Sequence, residues 1–204
     1  MKASEENRML EGLLQMLPWI VIAGGGFVLF GWAFGLEAFK TIFPGLTAMK
    51  ANTALGFILA GVALLAARSD SRDSGGRTVS QASAVIVTML GALSLGEHLS
   101  GLDFGIDEFL FRDITDLPGD IPGRMAVNTA VSFSTLGAAL FFLNRKGKRF
   151  VTVIHALAFV SIIIAGTALL GYVYDIDASL REKLNYTPMA MHTALLFVLA
   201  ALCV

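Results

Sequence analysis

The chain has 204 residues, of which 55% are hydrophobic and 15% are charged, and its formal net charge is -1. Because a soluble domain carries about 25% charged residues, this shortage indicates a protein with most of its surface in lipid. The near-zero charge offers no basic surface for phosphates, so a nucleic-acid partner is not expected. The single cysteine, Cys203, excludes an intramolecular disulfide and a thiolate metal cluster.

The N-terminal segment 1–17 predicts a short cytoplasmic lead. It is polar, mixed in charge and amphipathic at helical spacing, and no small-residue cleavage site follows a short apolar core. A removable secretion signal is therefore not expected. The first apolar run, which begins near Pro18, should stay in the membrane as a helix.

Six apolar runs follow one another along the chain. Since a bilayer crossing needs roughly 20 apolar residues, we expect an all-α, polytopic membrane protein with six transmembrane helices. The last run is a little short of a crossing, so the chain should end inside or at the end of its final helix. The predicted helices cover about 18–36, 46–67, 80–99, 125–143, 151–174 and 188–204.

A nine-residue phrase occurs three times, at 49–57, 125–133 and 189–197. Met, Thr, Ala and Phe hold the same places in every copy, and a polar position between them is occupied by Asn52, Asn128 and His192. Each copy follows a proline by a few residues and opens an apolar run; these prolines are Pro44, Pro122 and Pro188. Internal repetition of this kind predicts three repeated helical hairpins, at about 18–67, 80–143 and 151–204.

The basic residues predict the orientation of these hairpins. Lys and Arg concentrate in the connectors after the second and fourth runs, which the positive-inside rule places in the cytoplasm. Both termini are then cytoplasmic, and all three phrases lie at the outer rim. The basic residues concerned are Arg68, Arg72, Arg77, Arg145, Lys146, Lys148 and Arg149.

The polar position of the phrase has two interpretations. Asn52 and Asn128 can hydrogen-bond to a neighbouring helix or loop and fix the packing of each hairpin. Alternatively, Asn52, Asn128 and His192 line one shared pocket that opens outward, because polar residues within a membrane are candidates for function. In that pocket Phe57, Phe133 and Phe197 contact the apolar part of a ligand.

Two histidines are expected at a similar depth. His98, which follows Glu97, lies near the outer end of the third run, and His192 lies in the sixth. Two imidazoles at one level can ligate a b-type haem, and the nearby methionines leave another transition metal open. The alternative is that His98 is an interfacial residue paired with Glu97 or a loop carboxylate, while His192 replaces Asn as a donor. His155 is expected at the cytoplasmic end.

The longest predicted loop, 100–124, is acidic. Its stretch 101–108 contains three carboxylates, but the spacing is not that of an EF-hand, so a Ca²⁺ site is not expected. We expect this loop to fold over the mouth of the bundle with Phe104 and Ile106 pointing inward. Walker, HExxH, GxSxG and CxxC motifs are missing from the sequence, so no catalytic residue is assigned and this region is not expected to be an enzyme.

Several phrases together resemble a known type of region. They are GEHL at 96–99, GLDFGID at 101–107, PGRM at 122–125, NTA at 128–130 and YTPMAMHTA at 186–194. In this order they resemble the membrane-integral sensory region at the N-terminus of bacterial sensor histidine kinases and diguanylate cyclases, where PAS domains often follow. The resemblance covers nearly the whole chain. It implies a cytoplasmic output module after residue 204.

The expected function is therefore that of a transmembrane input domain, as a homodimer in the bilayer. It would detect a small lipophilic or periplasmic ligand and pass a helix shift through the sixth span, with His192 as the coupling residue. The rival interpretations are a haem-binding redox protein or haem sensor using His98 and His192, and a quinone or lipid sensor. A transporter or channel is less well supported, since the hairpins run in one sense and no charge lies at mid-span.

Overall fold

A computed structural model describes residues 2–43, 46–68, 74–114, 121–174 and 187–204. Within these ranges every regular element is an α-helix, as predicted. Pro44, Arg72, Tyr186 and residues 115–120 of the predicted loop 100–124 lie outside the described ranges. The helices are α1 (Lys2–Phe34), α2 (Glu37–Lys40), α3 (Ala51–Ala67), α4 (Ser74–Ser100), α5 (Val127–Phe142), α6 (Lys148–Val173) and α7 (Met191–Ala201).

Three of the described helices are long and apolar enough to cross a membrane. They are the segment Gly12–Phe34 of α1, the whole of α4 and the whole of α6. Together with the hydrophobic composition they indicate a membrane-embedded protein. The other apolar helices are shorter: α3, α5 and α7 have 17, 16 and 11 residues. At 1.5 Å per residue α3 is about 25 Å long, less than the hydrocarbon thickness of roughly 30 Å.

The shorter helices begin later than the sequence predicts, because the first residues of each phrase are extended. The residue before each helix, Lys50, Ala126 or Ala190, has an extended ψ of 153°, 150° or 144°. The first helical hydrogen bond then closes at the alanine that follows the phrase's Thr. The polar position is therefore the second residue of its helix, not a residue one turn inside it.

The first helix begins earlier than predicted. α1 runs from Lys2 through Pro18 to Phe34 without interruption. The predicted lead, 1–17, and the first apolar run therefore form one helix.

The helices pack as three pairs that surround a common axis. α1 packs on α3, α4 on α5 and α6 on α7, and the pairs meet through the contacts α3–α4, α5–α6 and α1–α7. The shorter helices α3, α5 and α7 also contact one another at the centre. The longer helices therefore shield the shorter ones, and the three phrases begin at the same end of the bundle.

The residues that recur in the phrase form the core along this axis. The repeated Met, Thr, Ala and Phe residues are each at most 2% exposed in all three copies. The Phe rings pack against one another with centroid separations of 4.7–5.0 Å. Gly56 allows this packing, because a Cβ there would come within 2.7 Å of the Phe133 ring. The residue types that recur in the phrase are thus the ones buried at the axis.

Candidate functional site

The three phrases converge on a small cavity at one end of the bundle. Thr53, Thr129 and Thr193 line it, together with extended residues just before the three helices. Its volume is about 10 Å³, enough for roughly one water molecule. Asn52, Asn128 and His192 do not line it. Successive side chains of a helix point about 100° apart. The Thr, which follows the polar position by one residue, therefore faces the axis where the polar residue does not.

Each phrase receives the same hydrogen bond from the outer helix of its own pair. The acceptor is the carbonyl of the phrase's Met, which is extended and has no helical partner. The donor lies near the C-terminal end of α1, α4 or α6 and is an aromatic or imidazole side chain. The three contacts are Trp32 Nε1 to Met49 O (2.9 Å), His98 Nε2 to Met125 O (2.9 Å) and Tyr172 Oη to Met189 O (2.8 Å).

This contact gives His98 a structural role. Because a carbonyl can only accept, Nε2 of His98 carries the proton and donates it. The partner is neither Glu97 nor a loop carboxylate, as one sequence interpretation had it. To ligate haem or a metal through Nε2, His98 would have to leave the Met125 carbonyl, and it is not among the residues that surround His192. The predicted pairing of His98 with His192 therefore has no geometric support.

The polar positions of the first two phrases are engaged by neighbouring atoms. Asn52 is 1% exposed and donates from Nδ2 to the carbonyl of Gly123 at 3.1 Å. Asn128 accepts from the backbone N–H of Thr129 at 3.0 Å. Asn52 thus ties α3 to the segment that precedes α5. This contact of Asn52 agrees with the packing interpretation, whereas the hydrogen bond of Asn128 with Thr129 lies within its own helix.

The third polar position differs. Both ring nitrogens of His192 are buried, and neither has a hydrogen-bond partner among the described residues. One of the two nitrogens of a neutral imidazole is a donor and the other an acceptor, so two hydrogen-bonding capacities are left unused. A buried polar group without a partner costs about 1–3 kcal/mol. Among the three polar positions of the phrase, His192 is the one whose side chain has no hydrogen-bond partner among the described residues, so it is poised to bind something else.

His192 lies in an apolar cavity of about 350 Å³ between α1, α2 and α7. Phe27 and Leu195, which are 54% and 45% exposed, stand at its outer side, so the cavity opens to the surface of the bundle. The polar side chains that line this cavity are those of His192 and Thr41. The other lining residues are Gly24, Val28, Ala38, Phe39, Ile42, Leu196 and Leu199.

The phenylalanines of the phrase do not belong to this cavity. Phe57, Phe133 and Phe197 are completely buried and contact one another. The structure therefore places the three predicted phenylalanines in the packed core, apart from His192. Phe27 and Phe39, which the sequence analysis did not single out, are the aromatic residues beside His192.

Charged residues fix the acidic loop to the phrase end of the bundle. Lys50 pairs with Asp113 at 2.6 Å, and their side chains are 5% and 1% exposed. Asp113 also accepts from the backbone N–H of Gly123, whose φ of +69° favours glycine. The described part of the loop, 101–114 and 121–124, therefore folds onto the bundle as predicted, but its anchors are ionic. Phe104, which was predicted to point inward, is 46% exposed.

A second group of buried charges lies where the loop leaves α4. Arg124 donates from Nε to Asp107 at 2.7 Å, and the same Nε lies 3.7 Å from Oε2 of Glu97. Glu97 is fully buried and accepts the backbone N–H of Phe104 through Oε1 at 2.7 Å. Burial raises the pKa of Asp107 to about 6; Arg124 opposes this shift and the Glu97 carboxylate adds to it.

Sequence reasoning missed several of these residues for identifiable reasons. Trp32 and Tyr172 both stand 17 residues before the Met carbonyl that they bind, and this equal spacing is a usable signal. His98 is 27 residues from Met125 because the long loop intervenes. Lys50 and Asp113 are 63 residues apart. No local sequence pattern predicts an ion pair between residues so far apart.

The fold and its sites define a helical, membrane-embedded protein with a threefold internal repeat. No protein family, curated protein or solved structure matches this chain.

Proposed function

We propose that this chain is the transmembrane input region of a bacterial signalling receptor and that it detects a small lipophilic molecule at His192. The observation that carries the proposal is a histidine that lines an otherwise almost entirely apolar cavity and whose two ring nitrogens have no hydrogen-bond partner among the described residues. A ligand for such a site needs an apolar body and one or two hydrogen-bonding atoms. A quinone head group or a lipid carbonyl has this chemistry.

The packing of the bundle supports entry from the membrane. The contact between α1 and α7, where the cavity lies, is the least extensive of the three contacts between neighbouring pairs. Exposed apolar side chains border it on the outside. A lipophilic molecule could therefore enter sideways from the bilayer without crossing the charged loop.

The proposed topology follows the sequence expectations. Six helices cross the bacterial inner membrane in three hairpins of the same sense, with both termini in the cytoplasm. The common position of the three phrases supports the same-sense arrangement. Arg68 and Arg145, which follow α3 and α5 at the opposite end, support a cytoplasmic location for that end.

The proposed mechanism is a displacement of the last helix. A ligand that bonds His192 and fills the space between α1 and α7 stabilises one spacing of these helices over another. The change would travel along α7 to a cytoplasmic output module, which the resemblance to sensor kinases and cyclases implies, within a homodimer. A haem sensor remains the second interpretation from the sequence, but the contact of His98 with Met125 does not favour it.

The test is a titration of the purified chain in nanodiscs with decylubiquinone, followed by tryptophan fluorescence and by the thermal midpoint. His192→Leu introduces an apolar side chain of similar size and removes both hydrogen-bonding nitrogens. We expect it to weaken binding roughly 10- to 100-fold, the worth of about 1–3 kcal/mol. His192→Asn restores the residue type of the other two copies and should retain part of the affinity.

His155→Leu is the matched control, because His155 is exposed on α6 and far along the sequence from the cavity. Binding equal in wild type and His192→Leu would refute the site. Mass spectrometry of lipid-soluble material that co-purifies with wild type, but not with His192→Leu, would distinguish a membrane lipid from a quinone.

A further inference from the structure

The second group of buried charges contains more carboxylates than its cation can neutralise. Glu97, Asp103 and Asp107 each offer a carboxylate oxygen, and these oxygens all lie within 4.8 Å of one another. Arg124 is the cation in contact with this group in the described structure, at 2.7 Å from Asp107 and 3.7 Å from Glu97. With all three carboxylates ionised, two negative charges are left over.

Two carboxylate oxygens in this group accept no hydrogen bond. Oε2 of Glu97 and Oδ1 of Asp107 are buried and have no hydrogen-bond partner among the described residues. Their side chains are 0% and 8% exposed. Each residue satisfies its other oxygen, since Oε1 of Glu97 accepts Phe104 N–H and Oδ2 of Asp107 accepts Arg124. The site therefore contains two buried oxygens that accept no hydrogen bond, of which Oε2 of Glu97 faces Arg124 Nε at 3.7 Å, and such oxygens can ligate a cation.

We propose that Glu97, Asp103 and Asp107 bind one hard divalent cation, of the Ca²⁺ or Mg²⁺ kind. Two oxygens that bind one Ca²⁺ at 2.3–2.6 Å are at most about 5 Å apart, which agrees with the observed spacing. No histidine or cysteine belongs to the cluster, and an all-oxygen ligand set selects Ca²⁺ or Mg²⁺ over zinc or copper. Asp103 is exposed, so the ion has a route from solvent and room for its waters.

The position of the cation gives it a structural effect. Glu97 belongs to α4, whereas Asp103 and Asp107 belong to the loop that follows, so the ion joins the two. His98, the neighbour of Glu97, binds the Met125 carbonyl at the start of the second phrase. Occupation would hold the loop on the phrase end of the bundle. This inference uses a site separate from the His192 cavity and stands or falls independently of it.

The test uses the full chain in detergent, stripped with EDTA and titrated with CaCl₂ or MgCl₂ while thermal unfolding is followed. At a hundredfold excess over the dissociation constant we expect the midpoint to rise by about 5–10 °C. Asp103→Asn keeps an acceptor for the N–H of Gly105 and lies on the surface, so it should fold. It should weaken binding at least tenfold, and Glu97→Gln should do the same.

Glu37→Gln is the control, because Glu37 is exposed and pairs with Lys40 outside the cluster; it should bind the cation as wild type does. A midpoint that does not respond to either cation overturns the proposal. So does a cation response in Asp103→Asn and in Glu97→Gln that is as large as the response of wild type. A response to pH alone, near the pKa of Asp107, would show that a proton shared with Glu97 takes the place of the ion and would likewise overturn it.

Discussion

His98 donates a hydrogen bond from Nε2 to the carbonyl oxygen of Met125 at a distance of 2.9 Å. This contact belongs to the second of the three phrases. The equivalent donors in the first and third are Trp32 and Tyr172. The extended start of each phrase leaves a carbonyl outside the helix. In a membrane no water is present to satisfy such a group, so the protein must supply the donor itself.

Tyr172→Phe tests this contact by removing a single hydroxyl group. It leaves the Met189 carbonyl without its donor and should lower the free energy of unfolding by about 1–3 kcal/mol. Tyr174→Phe removes the same group from a side chain that is 70% exposed and should change little. Denaturation in mixed micelles measures both. Equal losses in the two variants would contradict the assigned role.

His98→Leu separates packing from haem ligation. We expect it to destabilise the protein by about 1–3 kcal/mol, because the Met125 carbonyl loses its partner. After incubation with haemin, its absorption spectrum should match that of wild type. A Soret band that requires both His98 and His192 would restore the haem interpretation.

Phe133→Ala tests the core at the axis. The ring is completely buried between Phe57 and Phe197, so its removal should cost about 3–5 kcal/mol. Phe159→Ala is the control, since Phe159 is 60% exposed on α6. Thermal unfolding of the two variants should differ by several degrees, with Phe159→Ala near wild type.

Gly56→Ala tests the same core in the opposite direction, by adding a methyl group. Its Cβ would meet the Phe133 ring at 2.7 Å, and the resulting strain should cost about 1–3 kcal/mol. Gly166→Ala makes the same change in α6 where no atom lies within 4 Å, and it should be neutral or slightly stabilising. If both variants unfold at the same midpoint, the close contact at Gly56 is not tight.

Lys50→Met tests the ion pair that holds the loop. It leaves Asp113 buried without its cation, which should cost about 3–5 kcal/mol. Adding Asp113→Asn removes the orphaned charge, so the double variant should be more stable than Lys50→Met alone. Lys146→Met, at an exposed position, controls for the loss of a positive charge. A double variant that is no better than the single one would argue against burial of the pair.

The sequence predicted the helical class and the threefold repeat because both depend on periodic burial. Met49, Thr53 and Phe57 recur at matching places since each packs at the axis, and their burial follows from that recurrence. Which polar residue has a partner could not be predicted in this way. Asn52 donates a hydrogen bond to Gly123, which is 71 residues away in the sequence. That contact depends on the conformation of the long loop.

The repeat in the sequence also did not predict which side chain of each phrase faces the axis. One residue of shift at the start of a helix rotates every side chain by about 100°. The structure has Thr53, and not Asn52, at the axial cavity. The ionic anchors of the loop, such as Arg124 with Asp107, were unpredictable for a simpler reason. Residues in an irregular segment have no period from which to infer a partner.

The contact between α1 and α7 has one property that the two equivalent contacts lack. α3 is joined to α4, and α5 to α6, by short connectors, whereas α1 and α7 are separated by more than 150 residues of chain. No tether limits how far these two helices can part. Leu196 lies against Gly24 at this boundary, so a ligand that separates α1 from α7 here would open the ring without stretching any peptide segment.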